Sequence, residues 1–486
     1  MIYNQKKHIV ILTIIFLYSC NLKEDIKPKE SFKNNSKKKP NIVLIMTDQH
    51  QAKALSIIGN LDINTPNLDK LAKTGTLFPN TYVTFPLCVP SRSSIFTGKY
   101  PHSLGVNSNA KGDNIMSIQD KNKSLGIMLK KAGYDCAYGG KWHAHEAEMQ
   151  NDLGFNKIAD FDDITLAKNS INYLNSRKNK TQPFFLVTSF DNPHNICEFA
   201  RNQPLPYGNI PLVSLDKTPQ LPLNFKKETT FPEALQIEQT ANKKVYPTKN
   251  YTKEDWRNYR YTYYRLIEKV DTEIGKIIDQ LNSLGLRENT IIIFTSDHGD
   301  GNASHGWNQK TALFQESINV PFIINYQNES SSKGKINTSL ISNGLDIYPT
   351  ILDFAGIKVP SELLGKSVKQ VIENKQQVLE RDYVVTETKF EGKQAYGTTG
   401  RAVVSKTHKY ILYSWGKNRE QFFDLKNDPF EMKNLVASKD HQQKLNDYRK
   451  KLTNWCIKTG DSKFLRKTIL PTNSKKLTIE LFDKPY

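Results

Sequence analysis

Features that mark several specialised protein classes are scarce in this chain of 486 residues. Besides Cys20 it has only four cysteines, Cys88, Cys136, Cys197 and Cys456, too few for a disulfide framework in so long a chain, although one pair could bridge. No internal repeat is evident. Apolar residues are not scarce: hydrophobic residues make up 38% and aromatic residues 10%, which is enough for sizeable cores and excludes a disordered protein. The length favours one large domain and a smaller one.

The start of the chain lacks an apolar run long enough to span a bilayer. The run over residues 9–18 follows a short basic start and has the length of a secretory signal core. Residues 17–20 resemble a bacterial lipobox, so we expect residues 1–20 to be a lipoprotein signal peptide with Cys20 lipidated. The alternative is an ordinary signal peptide in which Cys20 is discarded. The polar, lysine-rich residues 21–39 predict a flexible tether.

These patterns predict a lipid-anchored protein of the bacterial cell envelope, in the periplasm or on the outer-membrane surface. The formal charge is +19, and residues 1–39 hold nine lysines and three acidic residues, so +13 belongs to the rest. A basic surface attracts polyanions. Nucleic acid is the usual partner for such a balance, but export favours an acidic polysaccharide and no nucleic acid. A solvated lysine-rich surface without a partner is the alternative.

Several apolar runs of strand length end abruptly in polar clusters. Continuous apolarity is typical of strands that are buried on both faces, as in a parallel sheet covered by helices. There are four such runs: 41–47, 136–138, 184–190 and 291–296. The polar clusters that follow them begin at Asp48, Gly139, Asp191 and Asp297, respectively.

Helical patterns lie between these runs, over residues 66–73, 125–132 and 252–284. Alternating strands and helices predict an α/β fold with a doubly wound, mostly parallel sheet flanked by helices. Ligands bind at the carboxyl ends of strands in such sheets, where every polar cluster falls here. Residues 195–251 are proline-rich without a clear period, and we expect a substrate-facing insertion there.

The character of the chain changes after about residue 370. Short β-branched or alternating runs and a helical pattern over 440–458 predict a smaller C-terminal α+β subdomain with an antiparallel sheet. The predicted divisions are the signal peptide, 1–20; the tether, 21–39; a catalytic domain, 40–370; and the subdomain, 371–486.

The most informative segment begins at Cys88. A proline follows two residues later and Arg92 four residues later. Proline suits the first turn of a helix, so Cys88 should lie at a helix N-terminus, where unpaired N–H groups and Arg92 favour an anion. The alternative is a small buried apolar residue, which describes most free cysteines.

Two other strand ends carry carboxylates. Asp48 and the pair Asp297-His298 are candidate ligands for a hard divalent cation, which takes oxygen donors. For each residue alone, a helix cap or a turn is the alternative.

Taken together, the motifs resemble those of the type I sulfatases, formylglycine-dependent enzymes of the alkaline-phosphatase-like superfamily, and in particular bacterial polysaccharide sulfatases. The resemblance extends from residue 41 to about residue 435. The matching blocks are Cys-x-Pro-Ser-Arg at 88–92, Asp-Gln-His at 48–50, Thr-Ser-Asp-His-Gly-Asp at 295–300, Gly-Lys-Trp-His at 140–143, Asn-Pro-His at 192–194, and His-Gly at 305–306 with Lys310. Two further blocks, 345–350 and 423–429, resemble scaffold segments.

The resemblance implies a cofactor set. Cys88 would be oxidised to formylglycine by a formylglycine-generating enzyme or an anaerobic sulfatase-maturating enzyme. One calcium ion would be held by Asp48, Gln49, Asp297, His298 and the modified Cys88. Many sulfatases have an aspartate in place of Gln49, so the loss of one negative charge should weaken calcium binding.

The resemblance also implies catalytic and substrate-binding residues. Arg92, Lys141 and Lys310 would neutralise the sulfate, with His305 in the substrate-binding set. A hydroxyl of the hydrated aldehyde would attack sulfur after losing its proton to Asp297. His194 would protonate the departing sugar oxygen.

His143 would then remove the proton of the second hydroxyl, so that sulfate leaves and the aldehyde re-forms. The expected substrate is a sulfated oligo- or polysaccharide, either an algal one such as ulvan or a glycosaminoglycan. The alternatives are a phosphatase or phosphodiesterase of the same superfamily, and a non-catalytic lipoprotein that binds sulfated glycans.

Overall fold

The structure is a computed structural model that describes residues 38–110, 116–146, 149–226, 231–327, 334–390 and 397–468. The predicted signal peptide, the lipidation of Cys20 and the tether up to residue 37 lie outside the described residues. Within these ranges, no helix combines the length and the apolar character that crossing a membrane requires.

The chain forms one large sheet, a two-stranded ribbon and a four-stranded sheet. The large sheet has the order β5-β4-β6-β1-β7-β8-β2-β9, the ribbon pairs β10 with β3, and the third sheet has the order β11-β12-β13-β14. The strands are β1 Asn41–Asp48, β2 Thr76–Leu77, β3 Thr81–Tyr82, β4 Asp135–Gly140, β5 Asn156–Ala159, β6 Phe184–Pro193, β7 Thr290–Ser296, β8 Phe322–Tyr326, β9 Lys335–Ile336, β10 Ile341–Ser342, β11 Val384–Lys389, β12 Thr399–Val404, β13 His408–Tyr413 and β14 Glu420–Asp424.

Helices cover both faces of the large sheet. They are α1 Pro66–Lys73, α2 Cys88–Thr97, α3 Pro101–Leu104, α4 Ile118–Lys121, α5 Leu125–Lys131, α6 Asp163–Arg177, α7 Ile196–Ala200, α8 Glu233–Val245, α9 Lys253–Ser283, α10 Gln315–Ile318, α11 Asn343–Phe354, α12 Lys369–Ile372, α13 Gln442–Thr459 and α14 Ser462–Thr468.

The centre of the large sheet is parallel, as predicted. Strand β1 is buried along its whole length and pairs in parallel with both β6 and β7, and β4 pairs in parallel with β6. Strand β8 is antiparallel to both of its neighbours, β7 and β2. Successive β1 side chains enter different cores: Ile42 and Leu44 pack with α2, α5 and α11, and Val43 and Ile45 pack with α1, α6 and α9. The doubly wound fold is therefore confirmed.

The longest helix, α9, begins at a capping box. The Thr252 side chain accepts the Asp255 backbone N–H, and the Asp255 carboxylate accepts the Thr252 N–H. Its apolar face, which includes Val270 and Ile274, packs on the second core. The predicted pattern over 252–284 corresponds closely to this helix.

Residues 195–251 are not the continuous loop that the absence of a period suggested. They contain α7 and the 13-residue helix α8. The buried side of α8 is formed by Ala234 and Leu235 together with Glu238 and Gln239, so half of it is polar. An apolar period is therefore missing even though the helix is real.

The antiparallel sheet β11–β14 confirms the predicted change of character in the C-terminal part. It is joined to the rest of the chain by hydrogen bonds: the Glu387 N–H donates to the Thr84 carbonyl at 2.7 Å, and the Thr386 hydroxyl donates to the Val83 carbonyl at 2.7 Å. The division of the chain at residue 370 stays a prediction.

Asp346 on α11 fastens three segments together. Its buried carboxylate accepts two N–H groups of Arg381 at 2.5 and 2.7 Å, and the backbone N–H groups of Ser342 and Lys366 at 2.8 Å each. Because every lone-pair direction of this carboxylate is used, the block that contains Asp346 has a structural role.

We expect Asp346→Asn to lower the free energy of unfolding by about 3 kcal/mol, because the buried Arg381 loses its counter-charge. The matched control is Asp353→Asn on the same helix, where the carboxylate is 31% exposed and a change of about 1 kcal/mol or less is expected. Thermal and urea unfolding measure both. Equal losses in the two variants would contradict the assigned role of Asp346.

Asp163, the first residue of α6, holds the end of β6. Its carboxyl oxygens accept the backbone N–H groups of Asp191 at 2.7 Å and Asn192 at 2.8 Å. Burial raises the pKa of Asp163 from 3.8 to about 7, against the lowering effect of these hydrogen bonds. The folded protein therefore retains a proton that the unfolded chain releases at lower pH.

The stabilising effect of that proton is complete below pH 3.8 and is lost as the pH rises through about 7, by up to about 4 kcal/mol. The melting temperature of Asp163→Asn, relative to the wild type, should therefore rise between pH 5 and pH 8. Asp162→Asn removes the neighbouring carboxylate but keeps an oxygen that can cap α6, and is the matched control. A difference between Asp163→Asn and the wild type that stays constant over this range would refute the raised pKa.

Candidate active site

The carboxyl ends of four adjacent strands converge on one place. Asp48 ends β1, Lys141 follows β4, Asp191 lies near the end of β6, and Asp297 follows β7. Because β4, β6, β1 and β7 are neighbours in a parallel arrangement, their ends lie at the same edge of the sheet. The polar clusters that follow the apolar runs are therefore brought together.

Cys88 is the first residue of α2, as its proline spacing predicts, and it is fully buried. Its Sγ lies 3.0 Å from Nζ of Lys310, 3.3 Å from Nε2 of His298 and 3.8 Å from Oδ1 of Asp48. The thiol is thus surrounded by charged and polar groups, so the alternative of an ordinary apolar cysteine does not describe this environment.

Arg92 lies one turn further along α2 and joins the two strand-end carboxylates. Its Nε donates to Oδ2 of Asp297 at 2.6 Å and its Nη2 donates to Oδ2 of Asp48 at 3.1 Å. The remaining Nη1 donates to the Lys141 carbonyl at 2.8 Å and to the Ser189 hydroxyl at 2.7 Å. Arg92 is fully buried, and each of its three nitrogens has an acceptor.

Lys141 adds a second buried cation. Its Nζ lies 2.8 Å from Oδ2 of Asp48 and 2.8 Å from Oδ1 of Asp191. Burial lowers the pKa of this ammonium, but the two carboxylates raise it by more, so that it lies well above its usual value. Lys141 therefore stays charged within the cluster.

The cations also control the ionisation of Cys88 and Asp48. Burial and the charge of Asp48 raise the pKa of the Cys88 thiol. The charges of Lys310, His298 and Lys141 lower it by more, so that the pKa lies well below its usual value. Burial raises the pKa of Asp48, and the cations Lys141, His194, Lys310 and Arg92 lower it by more. The geometry favours ionised groups at the position that must react.

Four side chains offer ligand atoms to a metal ion. Those of Asp48, Cys88, Asp297 and His298 all lie within 4.8 Å of one another and are buried. Nδ1 of His298 donates to the Gly299 carbonyl at 2.9 Å, so the Nε2 lone pair faces the cluster, where the Cys88 Sγ and the Lys310 Nζ lie 3.3 and 3.4 Å from it. Burial raises the pKa of Asp297; Arg92 opposes this and the Asp48 charge reinforces it, so a further cation beside these carboxylates is favourable.

Gln49 stays a predicted ligand, and Asp300 fixes the orientation of its amide. Its Nε2 donates to Oδ2 of Asp300 at 2.6 Å. This hydrogen bond occupies the amide nitrogen and leaves the amide oxygen, Oε1, available to bind a cation. The only contact of Oε1 among the described residues is the Cys197 thiol at 3.8 Å. Carboxylate and amide oxygens suit a hard divalent cation such as calcium, so the residues present fit one.

Lys310 and His194 lie at the same site. Lys310 contacts Cys88, as given above. Nδ1 of His194 lies 3.9 Å from Oδ1 of Asp191, and its Nε2 lies 3.9 Å from the Sγ of Cys197. Burial lowers the pKa of His194, and Cys197 in its ionised form and the Asp48 carboxylate raise it by more, to about 10. These neighbours favour the protonated ring.

His143 and His305 are not brought to this cluster. His143 has φ 33° and its side chain is exposed, without a contact to Cys88 among the described residues. His305 has φ 54°, and its ring stacks on Phe314 at 3.9 Å and contacts Asn224 at 3.2 Å. Both residues have left-handed backbone conformations.

Sequence reasoning assigned no role to several residues of this site. Asp191 pairs with Lys141 and accepts an N–H of Asn195 at 2.7 Å, and Asp300 orients Gln49. Both belong to strand-end clusters, and that position was a usable signal. The thiol of Cys197 donates to Oε1 of Gln309 at 3.0 Å, and no local pattern pointed to it.

Comparisons with known proteins agree with this geometry. The sulfatase family model matches residues 40–357, and the model of the N-sulphoglucosamine sulphohydrolase C-terminal region matches residues 303–458. A Delta 4,5-hexuronate-2-O-sulfatase from Bacteroides thetaiotaomicron is 29% identical over 88% of this chain and 90% of its own length. An ulvan-active sulfatase from Formosa agariphila is 27% identical over 93% and 87%.

A solved structure shows the same fold. A 2-O GAG sulfatase, 27% identical, superposes with a TM-score of 0.77 over 92% of this chain and 97% of its own. The family model covers well over half of the chain, and its matched region contains the whole cluster around Cys88. This chain therefore belongs to the sulfatase family and is a sulfuric ester hydrolase.

Proposed function

We propose that the protein hydrolyses sulfate esters of a sulfated carbohydrate, of the ulvan or glycosaminoglycan kind, with formylglycine at position 88 and one calcium ion. The observation that carries the proposal is the placement of the Cys88 side chain among Lys310, His298 and Asp48 at the first turn of α2. The proposal includes export and a lipid anchor at Cys20, which rest on the pattern of residues 1–39.

The substrate class is supported by relatives and by charge. The relatives described above are named for a hexuronate 2-O-sulfate and for ulvan, and both align with most of this chain. The excess of +13 outside residues 1–39 favours an acidic polymer over a neutral one. Maturation of Cys88 by a formylglycine-generating or anaerobic sulfatase-maturating enzyme is part of the proposal.

Formylglycine at position 88 and calcium would together supply the nucleophile, a hydroxyl of the hydrated aldehyde, and Asp48, Gln49, Asp297 and His298 would hold the ion. Lys141, Lys310 and Arg92 would face the sulfate oxygens. Their charges would stabilise the negative charge that develops there in the transition state. Because Asp48, Asp191 and Asp297 already hold Lys141 and Arg92, these two need little reorganisation.

Two residues move protons in this scheme. Asp297, beside the nucleophile, accepts a proton as attack begins. His194, whose protonated form is favoured by its neighbours, donates to the departing sugar oxygen. The exposed position of His143 leaves it without a contact to Cys88, so the scheme assigns it no step.

We expect Cys88→Ser to lower sulfatase activity on an aryl sulfate by at least about a thousandfold, because a serine cannot release sulfate by re-forming an aldehyde. Cys136→Ser is the matched control: its buried Sγ donates to the Gly126 and Tyr134 carbonyls and packs in the apolar core, so the substitution should leave the rate nearly unchanged. Mass spectrometry of the peptide around position 88 distinguishes aldehyde from thiol. Full activity of Cys88→Ser, or faster turnover of aryl phosphate than of aryl sulfate, would refute the proposal.

The calcium part has its own test at Asp300. Its carboxylate accepts Nε2 of Gln49, the Tyr259 hydroxyl at 3.0 Å, and the N–H groups of Asn302 and Gln309. In Asp300→Asn an amide donor faces these donors, so Gln49 loses its orienting partner. We expect calcium affinity to fall by about tenfold or more, measured by titration calorimetry.

Tyr259→Phe is the control for this experiment, because it removes one hydrogen bond and keeps the carboxylate that orients Gln49. Its calcium affinity should change much less than that of Asp300→Asn. Circular dichroism checks that both variants are folded. Unchanged calcium affinity in a folded Asp300→Asn variant would show that Asp300 does not position Gln49 for the ion.

A further inference from the structure

The short segment after β6 carries the polar side chains of His194, Cys197 and Arg201, and the proposed reaction leaves the last two unused. His194 precedes α7, Cys197 lies within it, and Arg201 follows its last residue. His194 and Cys197 lie at the proposed active site.

Arg201 is held by an aromatic ring and remains available to a ligand. Its guanidinium lies over the ring of Tyr246 at 4.5 Å, and its side chain is 31% exposed. Its Nη1 donates to Oε1 of Glu198 at 3.4 Å, which is a long contact. Among the described residues, its other N–H groups meet no acceptor. Stacking on Tyr246 fixes the orientation of the Arg201 guanidinium before a ligand binds, which lowers the entropy cost of binding.

Tyr246 connects Arg201 with the reacting centre. It lines a cavity of about 280 Å³ together with Asn242, Gln309 and Lys310. Lys310 also contacts Cys88, and Gln309 contacts Cys197. The cavity wall therefore includes a residue that contacts Cys88 and the ring on which Arg201 stacks, and along this wall we place the sugar that carries the reacting sulfate.

We propose that Arg201 and Tyr246 form a subsite for a second negatively charged group of the substrate, a carboxylate or a second sulfate on the sugar being desulfated or on its neighbour. A guanidinium fork binds either anion through two parallel hydrogen bonds, whereas an uncharged sugar hydroxyl uses only one. Glu238 also lines the cavity, and its carboxylate disfavours an anion at its own position. This inference rests on the proposed sulfatase function.

The test compares four substrates of the calcium-loaded, matured enzyme: an unsaturated hexuronate 2-O-sulfate disaccharide, glucosamine 2-N,6-O-disulfate, N-acetylglucosamine 6-sulfate and an aryl sulfate. The first two carry a second anion, as carboxylate and as sulfate respectively, and the last two carry none. For Arg201→Gln, we expect the ratio of kcat/KM on the preferred doubly charged substrate to kcat/KM on N-acetylglucosamine 6-sulfate to fall about tenfold or more. Which of the two doubly charged substrates shows the fall identifies the anion.

Two further variants distinguish the effect of the guanidinium geometry of Arg201 from the effect of losing one positive charge. Lys244→Gln removes one exposed positive charge from α8 and should leave the ratio unchanged, since a general loss of attraction affects every anionic substrate. Arg201→Lys keeps the charge without the fork and should give an intermediate ratio. Equal losses on all four substrates, an effect of Lys244→Gln as large as that of Arg201→Gln, or a wild type without preference for doubly charged substrates would overturn the inference.

Binding to the Cys88→Ala chain keeps the test independent of turnover. Calorimetry with each disaccharide should show affinity for a doubly charged one that is lost when Arg201→Gln is added. If the wild type hydrolyses no sulfate ester while this binding difference holds, the proposed function fails and the subsite stands. If hydrolysis is observed and the binding difference is absent, the subsite fails and the function stands.

Discussion

The structure of the active site depends on one buried ionic arrangement, in which the guanidinium of Arg92 joins the carboxylates of Asp48 and Asp297. Removing charges from water is costly unless each finds partners, and Arg92 meets this condition because its three nitrogens donate to two carboxylates, a carbonyl and a hydroxyl. This arrangement holds the first turn of α2 against the ends of β1 and β7. The position of Cys88 follows from it.

The same charges explain why the site suits a sulfate ester. Arg92, Lys141 and Lys310 provide three buried cations, and the carboxylates of Asp48, Asp191 and Asp297 hold Arg92 and Lys141 in place. In the proposed reaction these cations would face the oxygens of the sulfate group. Because Arg92 and Lys141 are held by protein carboxylates, they are in place before the substrate binds.

Much of the fold could be predicted because strong local patterns encode it. The apolar runs predicted β1, β6 and β7, and the periodic run over 252–284 predicted α9, because complete burial and amphipathic burial leave different periods in a sequence. Helix α8 escaped prediction for the same reason. Its buried side includes Glu238 and Gln239, whose burial depends on partners elsewhere in the chain.

The active site also has features that could be predicted from local sequence and features that could not. The sequence by itself determined that Asp48, Lys141 and Asp297 lie at one edge of the sheet and that Cys88 begins a helix, because strand ends and proline spacing are local properties. Only the tertiary structure decided that the His143 side chain is exposed and that His305 packs on Phe314, and that Asp191, Asp300 and Cys197 contact residues of the site. Side-chain direction in loops is set by single φ values and by packing between segments far apart in the chain, and no local pattern carries that information.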